Sequence, residues 1–137
     1  MDDCIFCDPS RVEGGIFYES DNLYVVLSTL PFTRGHSLVI PRRHFELYHE
    51  VDSDLMKKVV EEMPRIIKGV IQITDVQSYN IINNSGIDGN QTVNHMHIHI
   101  IPRYSREELR RAMISNGSYQ YMNGDRERLL EQLKNVF

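Results

Sequence analysis

Apolar residues along the chain fall first into short runs and later into one long stripe. Two runs rich in β-branched and aromatic residues, 16–19 and 23–27, read as strands joined by the turn Ser20-Asp21-Asn22. A third strand, 36–40, resumes after the break at 31–35 and ends at Pro41. From Leu55 to Ile71 the apolar positions recur every three or four residues, the stripe of a helix with one broad buried face. Ser53 is its expected N-cap, and Pro64, which removes a hydrogen bond to the Val60 carbonyl, is expected to kink it. Strands at 79–83 and 93–102 follow, separated by a polar loop containing Gly86 and Gly89. Ser105-Arg106-Glu107-Glu108 reads as a capping-box helix start, 116–124 as a loop and 126–137 as a terminal helix. No repeat, linker or low-complexity segment interrupts this order. The pattern predicts an α+β domain: a five-stranded antiparallel sheet, one long helix packed on it, and C-terminal helical segments.

At 137 residues the chain is the size of one domain, 1–137, with an ordinary share of apolar and charged side chains. The formal net charge of −4 argues against binding a nucleic-acid polymer, which needs a basic surface, but leaves room for a small phosphorylated ligand. No apolar run is long enough to cross a membrane, and Met1-Asp2-Asp3 is acidic where a leader would be basic. A cytoplasmic protein is expected, with the nucleus as the alternative. In a reducing compartment the pair Cys4 and Cys7, spaced C-x-x-C, points to metal binding or redox chemistry rather than a disulfide.

The densest chemistry lies in Asn94-His95-Met96-His97-Ile98-His99-Ile100-Ile101. In a strand the side chains alternate, so His95, His97 and His99 are expected on one face and Met96, Ile98 and Ile100 on the core side. Such a row could be surface histidines, a three-histidine zinc site, or a set in which one neutral imidazole acts as nucleophile or base. The preceding loop adds amide, hydroxyl and backbone N–H donors at Asn84, Asn90, Gln91 and Thr92, a chemistry that suits phosphate oxygens.

The segment from Gln91 to Ile101 resembles the signature of the histidine triad (HIT) family. Gly35-His36-Ser37-Leu38-Val39-Ile40-Pro41-Arg42-Arg43-His44 resembles its second landmark, and Cys4-Ile5-Phe6-Cys7 the N-terminus of its zinc-bearing members. The three blocks lie in family order and cover a core of about 4–103, leaving 104–137 as a helical extension. The resemblance implies a homodimeric nucleotide hydrolase or transferase acting on an α-phosphate. By position it makes His97 the nucleophile of a nucleotidyl-histidine intermediate, with His99 at the phosphate or leaving group and His36 supporting the triad. It also implies phosphate stabilisation by Gln91, Thr92 and the backbone of Asn90 and Val93, and a contact from Asn84 to ribose or phosphate. A purine base would lie against Ile5, Phe6 and Val26. Ser28 departs from the family, which commonly places Asp or Asn there to hold the ribose hydroxyls.

The same resemblance completes a closed structural zinc site from Cys4, Cys7, His44 and His95. It favours a nucleoside phosphoramidate or related conjugate as substrate, with a dinucleoside polyphosphate as the alternative. A nucleotide-binding interaction protein with little turnover is the reading from another class. His49 matches no family position and reads as a surface side chain.

Overall fold

The turn at Ser20-Asp21-Asn22 closes a hairpin in the computed structural model, which describes residues 3–106 and 119–137. The Ser20 N–H donates to the Leu23 carbonyl at 2.9 Å, and the Ser20 hydroxyl accepts from the Asn22 and Leu23 amides. This joins β1 (Ile16–Glu19) to β2 (Leu23–Leu27), and β3 (Ser37–Pro41) pairs on the other side of β2. After the long helix α1 (Ser53–Thr74), β4 (Ser78–Ile82) and β5 (Ile98–Arg103) pair with each other, and β5 inserts beside β3. The sheet order is β1-β2-β3-β5-β4, antiparallel throughout, and α2 (Asp125–Val136) ends the chain. The predicted α+β architecture is therefore the observed one.

Register divides the sheet into two faces of different character. Val25, Leu27, Val39, Ile98 and Ile100 point to the side covered by the helices. There they meet Leu55, Val59, Met63, Ile66 and Val70 of α1, and Leu129, Leu130 and Leu133 of α2. On the other face Ile16, Val26, Leu38 and His99 stand in one row across β1, β2, β3 and β5. Phe6 packs against Tyr24, Val26, Leu38 and Ile40 there, and the Tyr24 hydroxyl donates to the Phe6 carbonyl at 2.6 Å. Three short 3₁₀ turns, Ile5–Cys7, Pro9–Arg11 and Glu13–Gly15, lay the N-terminal segment over this second face. Sequence patterning did not reveal them, because turns of this length carry no apolar period.

Two local expectations are corrected. Asp52, not Ser53, caps α1: its carboxylate accepts from the Leu55 amide at 2.9 Å, and Ser53 is the first helical residue. The helix then runs on through Pro64 to Thr74 and stops at Asp75, which takes a left-handed conformation. The strand expected over 93–102 begins only at Ile98. The backbone before it is bonded elsewhere: the His95 amide to the Val93 carbonyl, the Met96 amide to the Phe45 carbonyl, and the His97 carbonyl to the Asn83 side chain. The helix start at Ser105 and the beginning of the loop 116–124 fall against or within residues 107–118, outside the described residues. Among the described residues no helix is long and apolar enough to cross a membrane.

Candidate active site and metal centre

Because β5 starts at Ile98, His99 alone of the three histidines stands on a strand; His95 and His97 sit on the bonded loop before it. The three rings consequently do not form an evenly spaced row. His97 and His99 stay together, with ring centroids 5.0 Å apart, while the His95 ring turns toward Cys4 and Cys7.

Hydrogen bonds assign the protons on these rings. His97 Nδ1 lies 2.7 Å from the His95 carbonyl, which can only accept, so Nδ1 carries the proton and Nε2 keeps its lone pair. A second chain starts at the Phe32 amide, which donates to His36 Nδ1 at 2.9 Å. His36 in its neutral form then carries its proton on Nε2 and donates it to His99 Nδ1 at 2.8 Å. That leaves His99 with an N–H on Nε2. Two adjacent imidazoles thus differ in kind, one a nucleophile or acceptor and the other a donor.

Their environment keeps them neutral. Burial lowers the His97 pKa from its ordinary value. Burial and the neighbouring His97 lower that of His99 to about 4. His36, 1% exposed, is pushed down to about 3 by burial and then by the charges of His99, Arg103 and His97. The His36 ring also stacks face to face on Phe32 at 5.2 Å. Both its nitrogens are occupied, so it orients His99 and has no lone pair left for a substrate.

Beside His97 and His99 lies a cavity of about 370 Å³, within the ~300–1,000 Å³ range of small-molecule sites. Ile5, Phe6, Val26, Leu38 and Val93 give it apolar walls, and Phe6 meets the His97 ring edge-on at 5.2 Å. Ser28, Asn84, Asn90 and Thr92 bring polar groups to it. Asn90, in a left-handed conformation, ends the short turn Ile87–Gly89. The expected base-contact and loop residues are thus brought together, with one exception. Gln91 does not line the cavity: its carbonyl accepts from the Gly86 amide, and its NH₂ donates to the carbonyls of Glu46 and Val93. Its amide is spent on holding the loop.

Sequence reading missed two groups of residues here. Asn83, one position before the expected Asn84, fixes the His97 carbonyl from the end of β4. Arg11, Gly15 and Arg126 also line the cavity, and Arg126 comes from α2, distant in sequence from every motif. Composition could flag these arginines but not their convergence.

The second cluster joins Cys4, Cys7, His44 and His95, whose ligand atoms all lie within 4.8 Å of one another. Cys4 Sγ is 3.5 Å and Cys7 Sγ 3.6 Å from His95 Nδ1, and Cys7 Sγ is 3.2 Å from His44 Nδ1. Sulfur and nitrogen ligands of one tetrahedral zinc-sized ion stand about 3.6 Å apart, from bond lengths of ~2.3 and ~2.0 Å. His95 Nε2 lies 2.7 Å from the Pro41 carbonyl and must be its protonated nitrogen, so Nδ1 offers a lone pair to the cluster. Burial and the adjacent Cys4 push the Cys7 thiol up, the penalty that a bound cation removes. The four residues fit a metal ion.

Comparison with known proteins agrees with this geometry. The family model described as "HIT domain" matches residues 10–106. The adenylylsulfatase HINT3 of Arabidopsis thaliana is 34% identical over 109 residues, 78% of this chain and 55% of that protein. The chain therefore spans about half the length of that relative. The adenosine 5′-monophosphoramidase HNT1 of Saccharomyces cerevisiae is 30% identical over 102 residues, 73% of this chain and 62% of that protein. A zinc-bound histidine triad protein from Mycobacterium smegmatis superposes with a TM-score of 0.78 at 28% identity, covering 98% of this chain and 93% of that one. The chain belongs to the HIT domain family.

Proposed function

We propose that this protein is a nucleotide hydrolase that attacks the α-phosphate of a nucleoside phosphoramidate or related nucleotide conjugate with His97 Nε2. The observation that carries this reading is the pair of fixed tautomers, a lone pair at His97 and a hydrogen-bond donor at His99, facing one cavity. The family, and relatives named for adenosine monophosphoramidate and adenylyl sulfate, support it.

In the first step the Nε2–phosphorus bond forms as the bond from phosphorus to the leaving nitrogen breaks. A phosphoramidate whose nitrogen already bears its third proton leaves as ammonia. The His99 Nε2–H donates to the phosphate oxygens or the leaving atom, and the N–H groups of Thr92 and Val93 favour the developing charge, those of Asn90 and Gln91 being bonded to the Ile87 and Gly86 carbonyls. Water then attacks phosphorus, the phosphorus–His97 bond breaks, and the nucleoside monophosphate and a proton depart. His97 Nδ1 holds its hydrogen bond to the His95 carbonyl through both steps. The base lies against Ile5, Phe6, Val26 and Leu38, and Asn84 reaches the ribose or phosphate.

Cys4, Cys7, His44 and His95 would hold a structural zinc ion, which would lower the thiol pKa values and tie the N-terminal segment to the loop before β5. A homodimer is part of the proposal. β4 is an edge strand with exposed Tyr79 and Ile81, the kind of edge a second copy covers. Light scattering at twice the chain mass is the expected result.

The decisive experiment compares hydrolysis of adenosine phosphoramidate and diadenosine tetraphosphate by the wild type and His97→Ala. Preferred cleavage of the phosphoramidate, lost in the variant, is expected. Preference for the tetraphosphate would move the substrate class, and undiminished activity of His97→Ala would remove the nucleophile.

A further inference from the structure

The cavity is electrically uneven. The groups at its reacting end are neutral imidazoles, amides and a hydroxyl, whereas the formal charges among its described lining residues are Arg11, from the N-terminal segment, and Arg126, from α2. No carboxylate is among its described lining residues, in a chain whose net charge is −4. The Arg126 guanidinium has no hydrogen bond or ion pair to any described residue, although its neighbour Asp125 pairs with both Arg34 and Arg128. The Arg11 guanidinium forms no ion pair among the described residues and donates to the Asp3 carbonyl, at 3.5 Å.

The position of the guanidinium follows from Gly15. A Cβ there would stand 3.1 Å from Arg126 Nη2 and 3.4 Å from the Leu27 carbonyl, so Arg126 lies across bare backbone next to Leu27. Gly15 directly precedes β1, and the row His99, Leu38, Val26, Ile16 places β1 three strands from β5. At ~4.8 Å per strand, Arg126 is on the order of 10–14 Å from His99. One phosphate cannot reach both. The same cavity holds the apolar walls for the base and the buried Ser28 hydroxyl, which accepts from the Leu30 amide and retains its own proton to donate.

We propose that Arg126, with Arg11 and Ser28, forms a second anion subsite that selects nucleotides bearing an additional phosphate ester on the ribose. The proposal rests on the nucleotide reading above and names the substrate class within it. A guanidinium fork matches a phosphate dianion at two oxygens, and Gly15 leaves the space that any side chain would fill.

Calorimetric titration with AMP, adenosine 2′,5′-bisphosphate and adenosine 3′,5′-bisphosphate tests it, using the whole chain. One of the bisphosphates is expected to bind about 10-fold tighter than AMP, the size of one charge-assisted contact. The pair of bisphosphates distinguishes the 2′ from the 3′ position. In Arg126→Ala that ratio falls to near unity. Arg126→Lys, which keeps the charge without the fork, retains an intermediate ratio and serves if the alanine variant folds poorly. AMP binding with no preference in the wild type, or a preference that survives in Arg126→Ala, overturns the subsite and leaves the nucleotide reading standing. Failure of the wild type to bind any of the three overturns both.

Discussion

The two faces of the sheet are built from the same strands and solve opposite problems. The helix-covered face is apolar apart from the buried Ser37, sealed by α1 and α2, and its contacts are largely interchangeable in kind. The opposite face carries a small apolar cluster around Phe6 beside histidines whose nitrogens are assigned one by one. Burial on the first face stabilises the fold through area, without direction. On the second, the same burial keeps imidazoles neutral, and hydrogen bonds decide where each proton resides. A change of shape on the first face therefore costs stability, and a change of proton address on the second costs orientation.

Substitutions should separate the two. His97→Ala is expected to reduce turnover of adenosine phosphoramidate at least ~10³-fold while the melting temperature changes little, as a nucleophile outside the main core requires. Ile66→Ala, beneath the sheet in α1, reverses the outcome: a loss of about 2–5 kcal/mol in denaturant unfolding, with kcat preserved at temperatures where the protein is folded. Equal losses of activity and stability in either variant would erase the distinction between the faces. Cys4→Ser with Cys7→Ser should abolish stoichiometric zinc, measured by emission spectrometry, and lower stability by on the order of 2 kcal/mol. A zinc-free wild type whose double variant melts unchanged would refute the metal centre.

The pH dependence sharpens the same contrast. His36 and His99 have folded-state values near 3 and 4 against an ordinary 6.5. As the pH falls below 6.5 the unfolded chain takes up protons that the folded chain refuses. Their contribution is thus fully present above that pH and is lost toward pH 3–4. His36→Asn should flatten the melting temperature between pH 6.5 and 4. It should also lower kcat by about 10-fold, through a His99 no longer oriented. An unchanged acid limb would show that these rings titrate freely. The smallest effect is expected for Gln91→Glu, which exchanges an NH₂ donor to two carbonyls for an oxygen. It should loosen the loop by about 1–2 kcal/mol in unfolding experiments.

Strands and the long helix were legible because their apolar periods are local properties of the chain. That His97 and His99 stand together at one cavity was legible through their spacing. The interruption at 93–97 was not, since alternation cannot report that the Met96 amide bonds to Phe45, far away in the sequence. Gln91 was misread for the same reason: an amide beside glycines suits a phosphate, and only the fold reveals that three backbone groups claim it. His36 was readable as support for the triad, but its relay from the Phe32 amide to His99 depends on a loop conformation. That loop is braced from the other end of the chain, by Tyr121 on the Gly35 amide and Asp125 on Arg34. Arg126 arrives with the same segment and left no mark in any motif.

His95 serves both clusters with different parts of one residue. Its ring faces Cys4 and Cys7, and its peptide oxygen receives the His97 proton. Mutation can replace the ring, but every amino acid brings the same oxygen. The genetic code can therefore rewrite what position 95 grips without ever deleting what it commands. Only a displacement of the main chain could silence that oxygen, which makes the path of the backbone, rather than the identity of a side chain, the heritable part of the nucleophile's orientation.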